Sequence, residues 1–103
     1  MKPRYILAPE AARDLVEIWT YLKRQASLET AKHVESVIRE RIVFLSQNPG
    51  AGHWRYDLTD HNVRFFPVYS YLVVYRPDTK PLQVVSILHG RRDVEGVLKQ
   101  RPF

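Results

Sequence analysis

The spacing of apolar residues changes in the middle of this chain, and the change strongly constrains its fold. Over residues 9–25 and 28–46 the apolar residues recur every three or four positions, which predicts two amphipathic helices. Asn48-Pro49-Gly50 ends the second helix, and beyond residue 62 the period falls to two. That period predicts three strands in an antiparallel meander: 63–68, 71–76 and 82–88.

Two helices joined by a short turn need another layer to cover their apolar faces. The stripes expected to be buried are Ala12, Leu15, Val16, Trp19 and Leu22 in the first helix, and Ala31, Val34, Ile38, Ile42 and Leu45 in the second. Ser27 is the predicted N-cap of the second helix, whereas Ala8 has no side-chain oxygen with which to cap the first.

Shorter elements complete the prediction. Residues 4–7 resemble a first strand, and Asp93 is suited to cap a short helix that extends to about Gln100. Pro67 cannot donate a ladder hydrogen bond, which makes its strand an edge strand. We therefore expect an α+β fold of order β-α-α-β-β-β, with a further short α, in which a helical hairpin packs on one face of a small, mainly antiparallel sheet. A length of 103 residues fits one domain, 1–103.

Composition excludes several classes of protein. The chain has no cysteine, which rules out disulfides and thiol chemistry, and no apolar run approaches the roughly 20 residues of a membrane span. The opening residues, Met1–Arg4, lead into no apolar signal core, so secretion is not expected. A net charge of +5 favours an acidic partner, either nucleic acid or an acidic protein.

Five positively charged or titratable residues fall at strand ends. Arg64 and Arg76 should be neighbours at one end of the meander, and His89, Arg91 and Arg92 should lie towards the other end. Such a basic sheet face suits phosphates or an acidic peptide. The alternative is that these arginines only solvate strand ends.

The long loop 49–62 contains two aromatic residues of interest. Trp54 and Tyr56 have the chemistry to stack on bases or on a partner, while the alternative buries Trp54 under the sheet edge. Trp19, at helical spacing, is expected in the core. The four histidines lack metal-ligand spacing, so no metal is expected, and only His89 is a candidate for acid–base work besides a structural role. No phosphate-binding glycine loop is present, so no cofactor is expected.

Three blocks of sequence resemble ParE-type toxins of the RelE/ParE superfamily. The blocks are Ile6–Leu15 with its continuation Ile18–Leu22, Val63-Arg64 followed by Tyr71–Arg76, and Val85–Asp93. Together they cover nearly the whole chain in the family's order and spacing. Ala8 replaces the Ser or Thr that members often have before Pro-Glu.

The resemblance implies the cytoplasmic toxin of a type II toxin–antitoxin pair, of the kind that includes plasmid-stabilisation systems. Its partner would be an acidic ParD-like or RelB-like antitoxin, through which alone it would reach operator DNA, and no membrane is involved. The residues assigned to antitoxin or target binding are Arg64, Arg76, Arg91, Arg92, Trp54 and Tyr56.

The superfamily divides by target. RelE-like members cut mRNA on the ribosome and have lysines before the meander and a late tyrosine; here 46–62 contains no lysine and no tyrosine follows Tyr75. A nuclease would have to use Arg64, His89 and Arg92. ParE members instead inhibit DNA gyrase, with a toxic C-terminal segment that corresponds to roughly Arg91–Phe103. The resemblance favours a non-enzymatic gyrase inhibitor, with an mRNA endoribonuclease or a non-toxic homologue that binds only its antitoxin as alternatives.

Overall fold

The computed structural model describes residues 3–103, so Met1 and Lys2, on which part of the expectation about secretion falls, lie outside the described residues. In chain order the elements are β1 (Tyr5–Leu7), α1 (Pro9–Gln25), α2 (Leu28–Gln47), a 3-10 turn (Pro49–Ala51), β2 (Arg64–Val68), β3 (Tyr71–Arg76), β4 (Leu82–His89) and α3 (Val94–Lys99). The predicted order of elements is confirmed.

The helix boundaries follow local sequence signals. The side-chain oxygen of Ser27 accepts a hydrogen bond of 3.0 Å from the backbone N–H of Thr30, which caps α2 as predicted. Helix α1 starts without a side-chain cap at Ala8, and Pro9 occupies its first turn. Among the described residues, no helix is both long and apolar enough to cross a bilayer.

The four strands form one sheet in the order β1-β4-β3-β2. Strands β2, β3 and β4 are antiparallel, and β1 is parallel to β4, so the sheet is mainly antiparallel as expected. Strand β2, which contains Pro67, lies at one edge, as its missing N–H predicts. Strand β1 pairs only with Leu82–Val84, so the second half of β4 extends beyond its neighbour.

Apolar residues are buried on both faces of the sheet. The helical hairpin covers one face, where Ile38, Ile42 and Leu45 pack with Val73 and Tyr75. The other face has a smaller core that α3 closes, and its buried members are Val63, Phe65, Val74, Val85, Leu88, Val94 and Leu98. The short helix α3 thus acts as a partial third layer.

The buried face of α1 differs from the predicted one. Ala11, Asp14 and Leu15 are buried, whereas Val16 is 64% exposed, so the predicted inclusion of Val16 is wrong. The buried face of α1 includes Asp14 in place of Val16. A pattern of apolar residues does not reveal this, because it assigns a carboxylate to the exposed side of a helix. The stripe of α2 is confirmed, with Val34 half-buried against the core.

Trp19 is not a core residue, contrary to the prediction. Its side chain is only half-buried, and the ammonium of Lys23 lies 5.4 Å from the centre of its ring. Trp19 therefore lies at the surface, where it lines a shallow cavity together with Leu15 of α1 and Arg39 of α2.

Candidate functional site

The turn that follows α2 is fixed to the sheet by a buried tyrosine. The hydroxyl of Tyr75 donates a hydrogen bond of 2.7 Å to the carbonyl of Pro49 and accepts one of 2.8 Å from the N–H of Gly52. Burial raises the pKa of Tyr75 above its ordinary value. The hydroxyl therefore stays protonated and keeps its role as donor.

Arg64 holds the same turn from β2. Its Nη1 donates to the carbonyl of Gly52 at 2.9 Å and, more weakly, to that of Gly50 at 3.4 Å. The guanidinium lies 4.2 Å from the centre of the Trp54 ring. Its Nε is buried and has no hydrogen-bond partner among the described residues. The guanidinium is thus engaged by backbone carbonyls and an aromatic face.

Replacing Tyr75 by phenylalanine should lower the free energy of unfolding by about 1–3 kcal/mol, because the Gly52 N–H would lose its partner in a buried place. Chemical denaturation would measure the loss. Tyr71→Phe is the matched control, since that hydroxyl has no hydrogen bond among the described residues, and it should cost under about 1 kcal/mol. Equal costs for the two variants would contradict a specific role for the Tyr75 hydroxyl.

Trp54 and Tyr56 form an exposed aromatic pair in the loop. Their ring centres are 6.0 Å apart with 14° between the planes, and the side chains are 37% and 70% exposed. Arg55 lies between them in sequence and forms a two-point ion pair with Asp57, so its charge is partnered within the loop.

The loop does fold back onto the edge strand β2, where the backbones of His53 and Phe65 exchange two hydrogen bonds of 2.8 Å. Trp54 packs on Arg64 there without being buried, so the alternative holds for the path of the loop and is wrong for the burial of Trp54.

Arg64 and Arg76 lie at the same end of the sheet but on opposite faces. Arg64 is opposite Tyr75 in the register, and successive side chains of a strand alternate between faces. Accordingly Arg64 contacts the turn after α2, whereas the guanidinium of Arg76 lies 5.8 Å from the ring centre of Phe103. The expected basic face shared by the two arginines is therefore wrong.

His89 and Arg92 line a surface cavity of about 320 Å³ beside α1. The Nδ1 of His89 accepts a hydrogen bond of 3.1 Å from the N–H of Arg91, and its ring meets Tyr71 edge-on at 5.5 Å. Arg91 and Arg92 themselves are exposed. Among the predicted residues, these three occupy one neighbourhood, as the sequence indicated. The remaining residues that line this cavity are Asp14, Glu17, Ile18, Tyr21, Tyr71 and Ile87.

The three residues named for a nuclease are not brought together. His89 is opposite Tyr71 and Arg64 is opposite Tyr75, so they are separated along β3 by about 13 Å at about 3.3 Å per residue. A single phosphate is only a few ångströms across, and general acid–base groups must reach the atoms on which they act. Arg64 and His89 therefore do not form one phosphate site in this structure.

A buried ion pair, not foreseen from the sequence, joins α1 to the segment after α3. Both terminal nitrogens of Arg101 donate to the carboxylate of Asp14, at 2.8 and 2.9 Å, and this carboxylate also accepts the N–H of Ile87 at 3.0 Å. The Asp14 and Arg101 side chains are 4% and 15% exposed. We call this pair the Asp14–Arg101 clasp. Its only signal in the sequence is an aspartate between the apolar positions of α1.

Two further contacts hold the same segment. Asp93 caps α3, as predicted, by accepting the N–H of Gly96 at 3.1 Å. Phe103 stacks on His61 with ring centres 3.9 Å apart and 10° between the planes. The cap shapes the segment 91–103 internally, whereas Arg101 holds it to α1 and Phe103 holds its end to the loop before β2. In the part of the chain that the structure describes, no group of three or more metal-ligating side chains is placed to hold an ion.

These features together describe a small α+β domain: a helical hairpin on a four-stranded sheet, with arginines at or just beyond the strand ends. A family model described as "ParE toxin of type II toxin-antitoxin system, parDE" matches residues 5–94. The chain therefore belongs to the ParE toxin family. The match stops at the first residue of α3, so Arg101 lies beyond it.

A solved structure has the same fold. It is described as the chromosomal ParDE TA system from P. aeruginosa, and the superposition has a TM-score of 0.70 with 22% sequence identity. The similarity covers 82% of this chain and 92% of the other. No curated protein matches this sequence. At this identity the structural match supports the fold, and it agrees with the resemblance in the sequence.

Proposed function

We propose that this ParE-family chain is a non-enzymatic toxin that inhibits DNA gyrase and is neutralised by an acidic antitoxin. The observation that carries the proposal is the separation of Arg64 from His89, together with the engagement of Arg64 by the carbonyls of Gly50 and Gly52. Arg64, which a nuclease would need, is used to hold the turn after α2. This arrangement favours action by surface binding.

The surface proposed to contact gyrase is the exposed side of segment 91–103. Arg91, Arg92 and Lys99 are exposed there, while Val94 and Leu98 are buried beneath them. The basic side chains therefore point away from the core. Lys99 forms an exposed ion pair with Glu95 at 3.5 Å, whereas Arg91 and Arg92 have no ion pair among the described residues. These two arginines are available to an acidic surface or to the phosphates of gyrase-bound DNA.

The antitoxin is proposed to be acidic because the chain carries a net charge of +5. Opposite charge steers association and fixes the orientation of a complex. The exposed pair Trp54 and Tyr56 offers an aromatic contact area of the kind that protein partners use. Arg76, half-buried at the end of β3, offers a further charge.

Purified protein should inhibit supercoiling by gyrase and stabilise cleaved DNA, while an in vitro translation reaction should proceed normally. Blocked translation with cut message and unaffected gyrase would contradict the proposal and favour the endoribonuclease. Normal gyrase and normal translation, with binding to the antitoxin retained, would favour a non-toxic homologue.

Arg92→Ala should weaken gyrase inhibition about tenfold, the effect of losing roughly 1.4 kcal/mol of binding free energy. Arg41→Ala is the matched control because it removes the same charge from an exposed position on α2. Its half-inhibitory concentration should stay within about twofold of the original protein. An equal loss in both variants would mean that net charge alone, and not the segment, determines inhibition.

A further inference from the structure

The Asp14–Arg101 clasp lies where the edge of the sheet passes from the short strand β1 to the longer strand β4. Strand β1 ends at Leu7, opposite Val84, and β4 continues without this neighbour. Because β1 does not extend that far, the N–H of Ile87 has no strand partner on this side, and it donates a hydrogen bond to the carboxylate of Asp14 on α1. Arg101 binds the same carboxylate. One carboxylate thus joins α1, the open edge of β4 and the segment after α3.

The segment needs such an anchor to keep one shape. Helix α3 has six residues, Val94–Lys99, and a helix so short is not stable alone in water. Apolar contacts of the segment come from Val94 and Leu98, which are buried, and from Val97 and Phe103, which pack against the same core. Such contacts are non-directional and define its orientation only loosely. The two parallel hydrogen bonds of Arg101 are directional, so they define how the segment sits on the sheet.

Stability alone explains the clasp poorly. A buried ion pair gains little over well-packed apolar residues, because removing both charges from water is costly. The hydrogen bonds that Arg101 donates to Asp14 raise the pKa of Arg101, so its guanidinium stays charged. Unlike an apolar contact, the clasp fixes the orientation of the segment after α3 relative to α1 and β4.

We propose that Asp14 and Arg101 are positioning residues for toxicity: the clasp holds segment 91–103 in the orientation that presents Arg91 and Arg92 to the target. This inference rests on the proposed function, since it assigns target contact to the same segment. The clasp itself makes no contact with the target and acts through the position of α3.

The test uses the full chain with Arg101→Gln and Asp14→Asn, and Glu35→Gln as the control. Glu35→Gln removes a half-exposed ion pair with Arg39 on α2, far from the segment in sequence. Hydrogen exchange should rise at least tenfold at the amides of Val97, Gln100 and Arg101 in the Arg101→Gln variant, while the amides of β3 and β4 stay protected. Glu35→Gln should leave the exchange rates of both sets of amides unchanged.

Growth arrest after induced expression and gyrase inhibition by purified protein should both weaken about tenfold or more in Arg101→Gln. Arg101→Lys, which keeps the charge but not the two-point geometry, should recover only part of the activity. Arg101→Gln serves if Asp14→Asn fails to fold, because Arg101 is the more exposed partner.

The outcomes separate the two proposals. Growth arrest by the original protein with unaffected gyrase contradicts the gyrase target, yet loss of arrest in Arg101→Gln still supports the clasp. Unchanged protection of the segment, or a freely exchanging segment with full toxicity, overturns the clasp whatever the target is. Full recovery by Arg101→Lys would also overturn it, because charge alone would then suffice.

Discussion

Ile42→Ala should lower the free energy of unfolding by about 2–5 kcal/mol, as expected for removing most of a fully buried aliphatic side chain. Ile42 lies in α2 with no exposed surface and packs in the core between the helical hairpin and the sheet. The cavity left behind cannot collapse easily, because β3 and β4 form a rigid layer beneath it. Urea denaturation followed by circular dichroism would measure the loss.

Val16→Ala is the control for this prediction. Its spacing in α1 predicts a buried residue, but its side chain is 64% exposed, so its truncation should change stability by less than about 0.5 kcal/mol. A loss of 2 kcal/mol or more in Val16→Ala would mean that Val16 is buried and that α1 packs through a different face from the one in this structure. A cost below about 1 kcal/mol at Ile42 would contradict the packing of the hairpin on the sheet.

Gly52→Ala should destabilise the protein by roughly 2–4 kcal/mol, combining overpacking with a lost buried hydrogen bond. A Cβ at position 52 would lie 2.5 Å from the hydroxyl oxygen of Tyr75 and 2.8 Å from its ring. Tyr75 is completely buried and its hydroxyl is held by Pro49 and Gly52, so it has little freedom to move. Thermal unfolding should show a clearly lower midpoint.

Gly50→Ala is the matched control from the same turn. A Cβ at position 50 meets nothing within 4 Å, and its backbone is not in the left-handed region. The substitution should therefore be neutral or stabilise by up to about 1 kcal/mol through the unfolded chain. If the two alanines had similar effects, close packing between Gly52 and Tyr75 could not be the reason for glycine at position 52.

Periodicity predicted the fold well because most elements have a clear local signal. Ser27 and Asp93 cap helices as their side chains allow, and Pro67 lies on an edge strand. The parallel pairing of Tyr5–Leu7 with Leu82–Val84 was not predicted, since a three-residue strand carries no information about its partner.

The candidate site was predicted less well because its geometry depends on contacts distant in sequence. Arg64 and Arg76 were placed at the correct end of the sheet, but the alternation of strand side chains puts them on opposite faces. Asp14 and Arg101 are 87 residues apart, and nothing local to either residue indicates the other. An aspartate on an apolar helix face was the available signal.

The pairing of β1 with β4 also governs when this shape can exist during synthesis. Tyr5 emerges from the ribosome early, but its partner Leu82 is added only after most of the chain has been translated. Helices α1 and α2 depend on contacts that are local in sequence, so they can form first. Ile38 and Ile42 become buried only once β3 and β4 are present to cover them. A nascent chain shorter than about 80 residues therefore cannot adopt the toxin's shape.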